Sequence, residues 1–357
     1  MKIVHAVYSM EMGGAEMLVA QLCRLQRSHG HDVTICAYSK LGSLGEMLRD
    51  EGFAITILGE AHPVKTMLRY FNLFRAMKPD VVHMHNVAPT LQAAPGARLA
   101  DASCVIATRH SLVSPPYNRA EEIKFSSFSW LWLDWIVGIC EITCQNLRHA
   151  PLARRNRIMR VYNGTNPIAG ARSEFETNRF NLLFVGRLAA IKDLPTLLHA
   201  VALATTRVPH LHLSIVGDGP VRLHLEHLAN ELGISERVTF FGQQMDTGPF
   251  FHSADAFVMS SVSEGLPMSL LQAMSAGLPA VLTDVGGMRE VLQRSQSGLL
   301  APVGNSALMA EAIVELATND ALRIEFRQRA LSAFQQEFTL EQMDAAYMDL
   351  YRRARST

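Results

Sequence analysis

The sequence is poor in cysteine and lacks a long apolar segment. Five cysteines in 357 residues, without a secretory leader at the N-terminus, indicate reduced thiols and exclude a disulfide-stapled scaffold. No window reaches the roughly 18 to 20 uninterrupted apolar residues that a membrane-spanning helix needs. The chain begins with a strand-like run at 2–8 instead of a charged-then-apolar leader. We therefore expect a cytoplasmic protein, either free or at the inner face of the cytoplasmic membrane.

The chain also has no excess charge of either sign, since 33 Lys and Arg balance 33 Asp and Glu. Residues 1–170 hold 18 basic and 13 acidic side chains, a balance of +5, whereas residues 171–357 hold 15 and 20, a balance of −5. A basic N-terminal half suits an anionic membrane surface or the phosphate of a lipid acceptor. Scattered solvated charge explains the same count equally well. No nucleic-acid partner is predicted.

The most apolar segment is 125–140, FSSFSWLWLDWIVGIC, which contains all three tryptophans. It is too short to span a bilayer and it carries Asp134. Amphipathic aromatic side chains of this kind can make a peripheral membrane contact. The alternative, which we favour, is a helix followed by a buried strand of the first domain.

Apolar strand-like runs alternate with helical patterns along almost the whole chain, which is typical of an α/β protein with doubly wound parallel sheets. Between the two series of strands, residues 163–178 have the Gly, Pro, Asn and Ser content of a linker. The expected strands lie at 2–8, 32–38, 53–58, 80–85, 104–109, 135–139 and 157–162, then at 180–185, 211–216, 237–241, 256–259 and 279–282. Three helices near 305–317, 320–335 and 340–353 end the chain.

The segment 260–292 is the most informative part of the sequence. Glu264 lies where an apolar strand gives way to a turn of Ser, Gly and Pro, and Pro267 begins a helix whose first amides lack intrahelical partners. Such a helix end attracts phosphate. Gln272 follows on the same helix, and a second strand ends in a glycine turn at 283–287. Two strand-to-helix turns are thus predicted to converge on a site for a sugar nucleotide.

Two cations stand at the start of the second series of strands, in FVGRLAAIKDL. Arg187 follows the strand directly, and Lys192 lies at the approach to the next helix. Side chains in these places can neutralise the negative charge that gathers on a departing diphosphate. Further strand-to-helix turns occur at Gly217 and Asp218 and after the strand that ends near Gly242.

In the first half, Gly13 and Gly14 precede a helix, and His110 follows an apolar strand at the edge where ligands collect in open parallel sheets. Glycine permits close approach of the backbone to a ligand. A dinucleotide-binding fingerprint is not present, because the chain has no G-x-G-x-x-G. His83 and His85 share one face of a strand, where a metal would need a third ligand such as His110. We prefer the interpretation that they line a ligand-binding cleft between two domains.

These motifs together resemble glycosyltransferase family 4, the retaining nucleotide-sugar transferases of the GT-B fold. The resemblance covers nearly the full chain and is most specific between 184 and 287. It implies two Rossmann-like doubly wound domains facing a central cleft: an acceptor-side domain at 1–165, a donor-binding domain at 166–340, and a terminal helix at 341–357 that crosses back to the first domain. The family's hinge motif matches Tyr162, Asn163 and Gly164.

The resemblance also implies roles for individual residues. Glu264 would contact the transferred sugar and the reaction centre, Arg187 and Lys192 would hold the diphosphate, and His110 would bind a sugar hydroxyl. The family's second acid, which accepts hydrogen bonds from the ribose, is replaced by Gln272, a neutral group with weaker acceptor character. The remaining donor-binding positions would be Gly13, Gly14, Gly217, Asp218, Gly242, Gly265, Leu266 and Pro267.

The implied function is retaining transfer of a hexosyl group from a nucleotide-diphosphate sugar, with a UDP-sugar favoured and GDP-mannose next. The acceptor would be a hydroxyl of a glycan or a lipid-linked molecule in cell-surface polysaccharide synthesis, with His83, His85 and the loop at 111–119 as candidates for acceptor selection. The chain contains no D-x-D pair to hold a divalent ion, so we expect neither a metal nor a cofactor. Two alternatives remain: a catalytically silent paralogue that binds a sugar nucleotide, and a GT-B nucleotide-sugar epimerase.

Overall fold

A computed structural model describes residues 1–110, 119–150, 152–169 and 179–355. The chain divides into two compact units. Unit 1 combines Met1–Thr165 with the chain from Leu340 onward, and unit 2 is Asn166–Thr339. Among the helices in the described ranges, none is long and apolar enough to cross a membrane.

Unit 1 contains a parallel sheet of seven strands in the order β3-β2-β1-β4-β5-β6-β7. Its strands are β1 (Lys2–Val7), β2 (Asp32–Ala37), β3 (Ala54–Ile57), β4 (Val81–His85), β5 (Cys104–Arg109), β6 (Trp135–Gly138) and β7 (Ile158–Arg160). The connecting helices are α1 (Gly14–Ser28), α2 (Gly42–Asp50), α3 (Pro63–Met77), α4 (Val87–Leu99), α5 (Arg119–Trp132) and α6 (Glu141–His149). Because helices cover both faces, the central strands are buried along their length and read as apolar runs.

Unit 2 contains a parallel sheet of six strands in the order β10-β9-β8-β11-β12-β13. Its strands are β8 (Phe180–Val185), β9 (Leu211–Val216), β10 (Val238–Gly242), β11 (Ala256–Met259), β12 (Ala280–Thr283) and β13 (Gly298–Ala301). Its helices are α7 (Leu194–Thr205), α8 (Arg222–Glu231), α9 (Gly248–Ser253), α10 (Met268–Ser275), α11 (Gly286–Ser295), α12 (Ser306–Thr318) and α13 (Asp320–Glu337).

The last helix, α14 (Leu340–Arg355), belongs to unit 1 and packs against α1. Its first amide, at Leu340, donates to the carbonyl of Thr165 at 3.1 Å, and the Trp135 indole donates to the carbonyl of Leu350 at 3.1 Å. Tyr347 and Tyr351 of this helix are buried. The end of the chain therefore completes the interior of unit 1.

In each sheet the strand order reverses direction once, between β1 and β4 in unit 1 and between β8 and β11 in unit 2. A crevice opens at the carboxyl ends of the strands at such a reversal, because the connections leave in opposite directions. Gly13 and His110 follow strands at this edge of the first sheet. Lys192 and Glu264 follow strands at the same edge of the second.

The predicted doubly wound α/β class is confirmed, and each predicted strand is present within two residues of its expected bounds. One strand was missed, β13, whose sequence GLLA is short and begins with glycine. A side chain at Gly298 would lie 2.2 Å from the carbonyl oxygen of Ala280, so the neighbouring strand itself excludes a larger residue. The segment 125–140 forms the end of α5 and then β6, which confirms the helix-and-strand interpretation.

Candidate functional site

The centre of the candidate site in unit 2 is an ion pair between Lys192 and Glu264. The Lys192 ammonium contacts the Glu264 carboxylate, and only 17% and 13% of the two side chains are exposed. Their loops are tied together by two further hydrogen bonds, from the Ser260 hydroxyl to the carbonyl of Lys192 and from the Val262 amide to the carbonyl of Ile191, both 2.9 Å. Since β8 and β11 are neighbours, the sheet itself brings the two charged groups together.

Glycines shape the turns at the carboxyl ends of β8, β9 and β10, and the closest packing is at Gly217. Gly217 has a φ of +134°, and a side chain there would lie 2.0 Å from the carbonyl oxygen of Gly186. The Gly217 amide donates to the carbonyl of Gly242 at 2.8 Å, and Gly242 has a φ of +69°. The backbone of one loop thus fills the space beside the next. Gly217 and Gly242, both predicted to bind the donor, have a structural requirement of their own.

The polar side chains around these turns differ in the hydrogen bonds and ion pairs that they make. Arg187 is exposed and makes no ion pair with a described residue, so its charge is available to a ligand. Asp218 has both carboxylate oxygens in use, one accepting from the Gly219 amide at 2.7 Å and the other pairing with Arg222 at 3.2 Å. Its carboxylate is therefore already engaged in fixing the turn and in holding Arg222.

The loop between β11 and α10 presents backbone more than side chains. Leu266 is buried in the core, and Pro267 immediately precedes the first residue of α10. The carbonyl of Gly265 accepts from the Gly287 amide at 2.8 Å, which joins this turn to the start of α11. Gln272 is half-buried on α10, with no side-chain hydrogen bond among the described residues. Its amide group is free to meet a ligand.

In unit 1, the start of α1 carries an acid that sequence reasoning missed. Gly13 is the N-terminal cap of α1 and has no side chain to satisfy the first amides. The Glu16 carboxylate folds back over it, and a side chain at Gly13 would lie 2.4 Å from Oε2 of Glu16. Burial raises the pKa of Glu16. Gly14 has nothing within 4 Å of the place where a side chain would lie, so the space above it is open.

His110 lies at the end of β5 and begins a chain of hydrogen bonds into unit 1. Its Nε2 is 2.9 Å from Nδ1 of His85, and Nε2 of His85 is 3.0 Å from Nδ1 of His5. Its backbone amide donates to the Asn86 side chain at 3.0 Å. The other ring nitrogen, Nδ1 of His110, is shielded from solvent and has no partner among the described residues. It is the one atom of this ring that remains for a ligand.

The prediction that His83 and His85 line a ligand-binding cleft is wrong. Both are buried, with exposures of 0% and 4%. His83 bonds to the Tyr351 hydroxyl at 2.8 Å and the Thr108 hydroxyl at 2.7 Å. The sequence could not show this, because one partner comes from β5 and the other from α14, far along the chain. The loop at 111–118, also a candidate for acceptor selection, lies outside the described residues.

His5, His83 and His85 have ring nitrogens within 4.8 Å of one another, a spacing that can suit a metal ion. Every nitrogen of the three rings already takes part in a hydrogen bond of 2.7 to 3.0 Å. A metal would have to replace several of these bonds, since Zn–N distances are about 2.0 Å. The donor set does not fit a metal site, and the expectation that the protein needs no metal stays a prediction.

The chain matches two protein-family models in succession. The model described as Glycosyltransferase Family 4 matches residues 12–168, and the model described as Glycosyl transferases group 1 matches residues 179–319. The first model ends near the boundary of unit 1 and the second lies inside unit 2. Together they include every residue that the sequence placed in the candidate site.

Relatives by sequence include proteins named as glycosyltransferases. The chain is 32% identical to the lipopolysaccharide core biosynthesis glycosyltransferase LpsE of Rhizobium meliloti, over 55% of this chain and 58% of that protein. It is 22% identical to UDP-Gal:alpha-D-GlcNAc-diphosphoundecaprenol alpha-1,3-galactosyltransferase of Escherichia coli, over 98% of this chain and 97% of that one. The chain covers only 44% to 58% of several relatives that it matches at 29% to 34% identity.

The fold is shared with a solved structure, Alr3699/HepE of Anabaena in complex with UDP. The TM-score is 0.89 at 17% identity, with 99% of this chain and 100% of that chain covered. At this identity the likeness concerns the fold, which is of the GT-B class with two Rossmann-like domains.

Proposed function

Because the chain belongs to glycosyltransferase family 4, we propose that it is a retaining, metal-independent hexosyltransferase. Its donor is a nucleotide-diphosphate sugar, with a UDP-sugar preferred to GDP-mannose, and its acceptor is a hydroxyl of a glycan or a lipid-linked molecule. The product enters cell-surface polysaccharide synthesis. The names of LpsE and of the Escherichia coli galactosyltransferase, and the UDP bound to HepE, support this choice.

The observation that carries the proposal is the pair of Lys192 and Glu264 at the carboxyl edge of the second sheet. A buried ion pair with so little exposure is retained only where the geometry satisfies both charges. A diphosphate that approaches Lys192 competes with Glu264 for the ammonium. Glu264 is then released to meet the polar hydroxyls of the sugar, while Lys192 neutralises the leaving phosphate.

The other charged groups divide the remaining tasks. Arg187, exposed and unpaired within the described residues, supplies a second cation to the diphosphate. The first amides of α10 add the positive end of a helix. Two cations and a helix end together provide the charge that a divalent ion supplies elsewhere, so the site works without one. His110 offers Nδ1 to a sugar hydroxyl.

Retention follows if the acceptor hydroxyl attacks from the face that the diphosphate leaves, with a phosphate oxygen taking the acceptor's proton. The phosphate stays held by Arg187 and Lys192 during this step, close to the carbon from which it departs. Closure of the site would exclude water and prevent hydrolysis of the donor. The Glu264 carboxylate is left to stabilise positive charge that develops on the sugar ring.

A catalytically silent paralogue is supported only by Gln272, in place of the second acid of the family. An amide carbonyl still accepts a hydrogen bond from a ribose hydroxyl, so this replacement weakens binding without removing it. An epimerase would need an acid and a base beside one carbon of the sugar. Glu264 is paired with Lys192, and no second carboxylate contacts this pair among the described residues.

The test is donor binding followed by transfer. Thermal shift with UDP, GDP, ADP and their common sugar conjugates, with and without EDTA, identifies the nucleotide, since a ligand that binds only the folded state raises Tm. Release of UDP in the presence of acceptor then measures transfer. We expect one nucleotide family to raise Tm with EDTA present. No shift with any nucleotide, or a shift abolished by EDTA, would overturn the metal-independent site.

Matched variants separate the roles of the pair. Lys192→Gln should lower kcat about 100- to 1000-fold, the usual loss for one preorganised electrostatic group. Glu264→Ala should abolish transfer and keep part of the donor affinity. Arg207→Gln is the control, because Arg207 is also a cation in an ion pair, with Glu311, but follows α7 at the opposite edge of the sheet. Equal rates for Glu264→Ala and the wild type would refute the assignment of Glu264.

We also propose that the basic N-terminal half contacts the cytoplasmic membrane peripherally, near the lipid-linked acceptor. Trp130 and Leu131 are 47% and 59% exposed at the end of α5, and the Arg154 guanidinium lies 4.6 Å from the Trp130 ring centre. Flotation with anionic vesicles should bring the wild type to the lipid fraction and leave the double variant of Trp130→Ser and Leu131→Ser behind. Leu223→Ser, at an 80% exposed position of unit 2, is the control. Equal flotation of all three would contradict this contact.

A further inference from the structure

An unbroken row of buried hydrogen bonds joins His110 to a carboxylate on the last helix. From His110 it passes through His85 and His5 at 2.9 and 3.0 Å. Nε2 of His5 is 2.9 Å from Oε1 of Gln26, and Nε2 of Gln26 donates to Oδ1 of Asp344 at 3.0 Å. Asp344 is 2% exposed. Four hydrogen bonds thus connect His110 with the Asp344 carboxylate on α14.

The sheet register and the packing of two helices bring these residues together. In the ladder between β1 and β4, His5 lies directly beside His83, and His85 lies two residues further on the same face. Gln26 comes from α1 and Asp344 from α14, which pack against each other. Five polar side chains, from three strands or strand ends and two helices, therefore form one line inside unit 1.

Asp344, at the end of this row, sets the direction of every hydrogen bond in it. A carboxylate only accepts hydrogen bonds, so Gln26 must point its NH₂ group at Asp344 and its carbonyl at His5. Nε2 of His5 must then carry the proton, which leaves its Nδ1 as an acceptor. Nε2 of His85 must donate to that atom, which leaves Nδ1 of His85 to accept from Nε2 of His110. His5, His85 and His110 therefore all carry their proton on Nε2.

The opposite polarity would bring two acceptors into contact. It would require Gln26 to turn its carbonyl oxygen toward Asp344, with neither atom holding a proton. Protonated rings are excluded as well, because burial lowers the pKa of His5 and of His110 to about 4 and the pKa of His85 well below its usual value. The rings are therefore neutral, and only a proton on each Nε2 gives every hydrogen bond of the row one donor and one acceptor.

We propose that Asp344, acting through Gln26, His5 and His85, fixes His110 in the tautomer that carries its proton on Nε2. Nδ1 of His110 is then a permanent acceptor, presented to a hydroxyl group of the ligand. His5, His85, Gln26 and Asp344 are positioning residues, since they act through His110 and do not touch the ligand. That the hydroxyl belongs to the donor sugar rests on the proposed function; the tautomer itself is a property of the free protein.

The outer end of the line is anchored too. Oδ2 of Asp344 lies 3.1 Å from Nδ1 of His29, whose side chain is 49% exposed. His83 stands beside the line and bonds instead to Thr108 and Tyr351. Burial raises the pKa of Tyr351 well above its usual value, so this hydroxyl stays protonated. His83 and Tyr351 therefore do not add a charge beside the line.

Nitrogen-15 spectra of the full-length protein with labelled histidine test the proposal directly, because protonated and bare ring nitrogens differ strongly in chemical shift. The signals of His110 are assigned by their loss in His110→Asn. We expect Nε2 protonated and Nδ1 bare in the wild type at pH 7. In Asp344→Asn, which keeps the shape but can also donate, both tautomers should coexist. Asp349→Asn is the control, since Asp349 lies on the same helix but pairs with Arg353 at the surface.

Transfer kinetics supply a second readout. Asp344→Asn should lower kcat/KM about three- to tenfold, the worth of one hydrogen bond to a neutral group, whereas Asp349→Asn should not change it. A proton on Nδ1 of His110 in the wild type would overturn the polarity. Identical His110 spectra for the wild type and a folded Asp344→Asn would overturn the role of Asp344.

Gln26→Met is the second variant if Asp344→Asn does not fold, because it cuts the line without adding charge. Mixed His110 tautomers in that variant would support the proposal, and an unchanged tautomer would refute it. A wild-type protein that has the expected tautomer but transfers no sugar would count against the proposed function alone.

Discussion

Replacement of Gly217 by alanine tests whether the glycine turns of unit 2 are required by the protein itself. The added methyl group would lie 2.0 Å from the carbonyl oxygen of Gly186, at a φ of +134°. A backbone conformation that L-residues rarely adopt costs about 1 to 3 kcal/mol, and relief of such an overlap costs about 1 to 3 kcal/mol more. We therefore expect the free energy of unfolding to fall by roughly 2 to 6 kcal/mol.

Thermal unfolding measures this loss. For a unit of this size, 1 kcal/mol corresponds to about 2 to 4 °C in Tm, so Gly217→Ala should unfold roughly 5 to 20 °C below the wild type by circular dichroism. All three tryptophans lie in unit 1, and their fluorescence shows whether the loss spreads beyond unit 2. A Tm within 1 °C or so of the wild type would refute the packing argument, since it would mean that the two loops separate at almost no cost.

Three other perturbations have defined outcomes. Gly14→Ala adds a methyl group to open space, so it should leave Tm unchanged and weaken donor binding in a titration; unchanged affinity would show that no ligand approaches there. Gln272→Glu should preserve or strengthen UDP-sugar affinity, because a carboxylate makes stronger hydrogen bonds to ribose hydroxyls, and a weaker affinity would contradict the placement of Gln272. Because burial lowers the pKa of His5 and His110 to about 4, below the 6.5 of the unfolded chain, their stabilisation is present above pH 6.5 and lost as the pH falls toward 4. At pH 5 the stability lost is about 2 kcal/mol per ring. Unit 1, followed by tryptophan fluorescence, should therefore unfold at a lower urea concentration at pH 5 than at pH 7, and equal midpoints would contradict this expectation.

The fold was predictable from sequence because parallel strands covered on both faces are written as short apolar runs. Most of the runs from β1 to β12 alternate with helical patterns, so their number and class could be inferred from the chain alone. β13 was missed because an apolar run of only four residues that begins with glycine cannot be distinguished from a loop by its pattern. Its place depends on the hydrogen bonds of β12, which a local pattern does not contain.

The candidate site was predictable only where a residue type and a turn occur together. Glu264 and Lys192 stand 72 residues apart, and each was found from its own strand-to-helix turn. Glu16 was missed because an acid in the first turn of a helix is ordinary by composition. His83 and His85 were misplaced because their hydrogen-bond partners lie on neighbouring strands and on α14, and no spacing rule connects a histidine at 83 with a tyrosine 268 residues later.

The position of α14 has a consequence for the order in which the protein is made. During synthesis, His5, Gln26 and His83 leave the ribosome long before Asp344 and Tyr351, because the whole of unit 2 is translated in between. Until α14 arrives, Gln26 lacks its partner Asp344 and His83 lacks its partner Tyr351, and the apolar side chains that α14 covers stay exposed. Unit 2 is thus inserted into the sequence of unit 1, and it is synthesised before unit 1 is complete. A chain that ended at 339 would keep unit 2 intact and would leave Gln26 and His83 of unit 1 without their partners on α14.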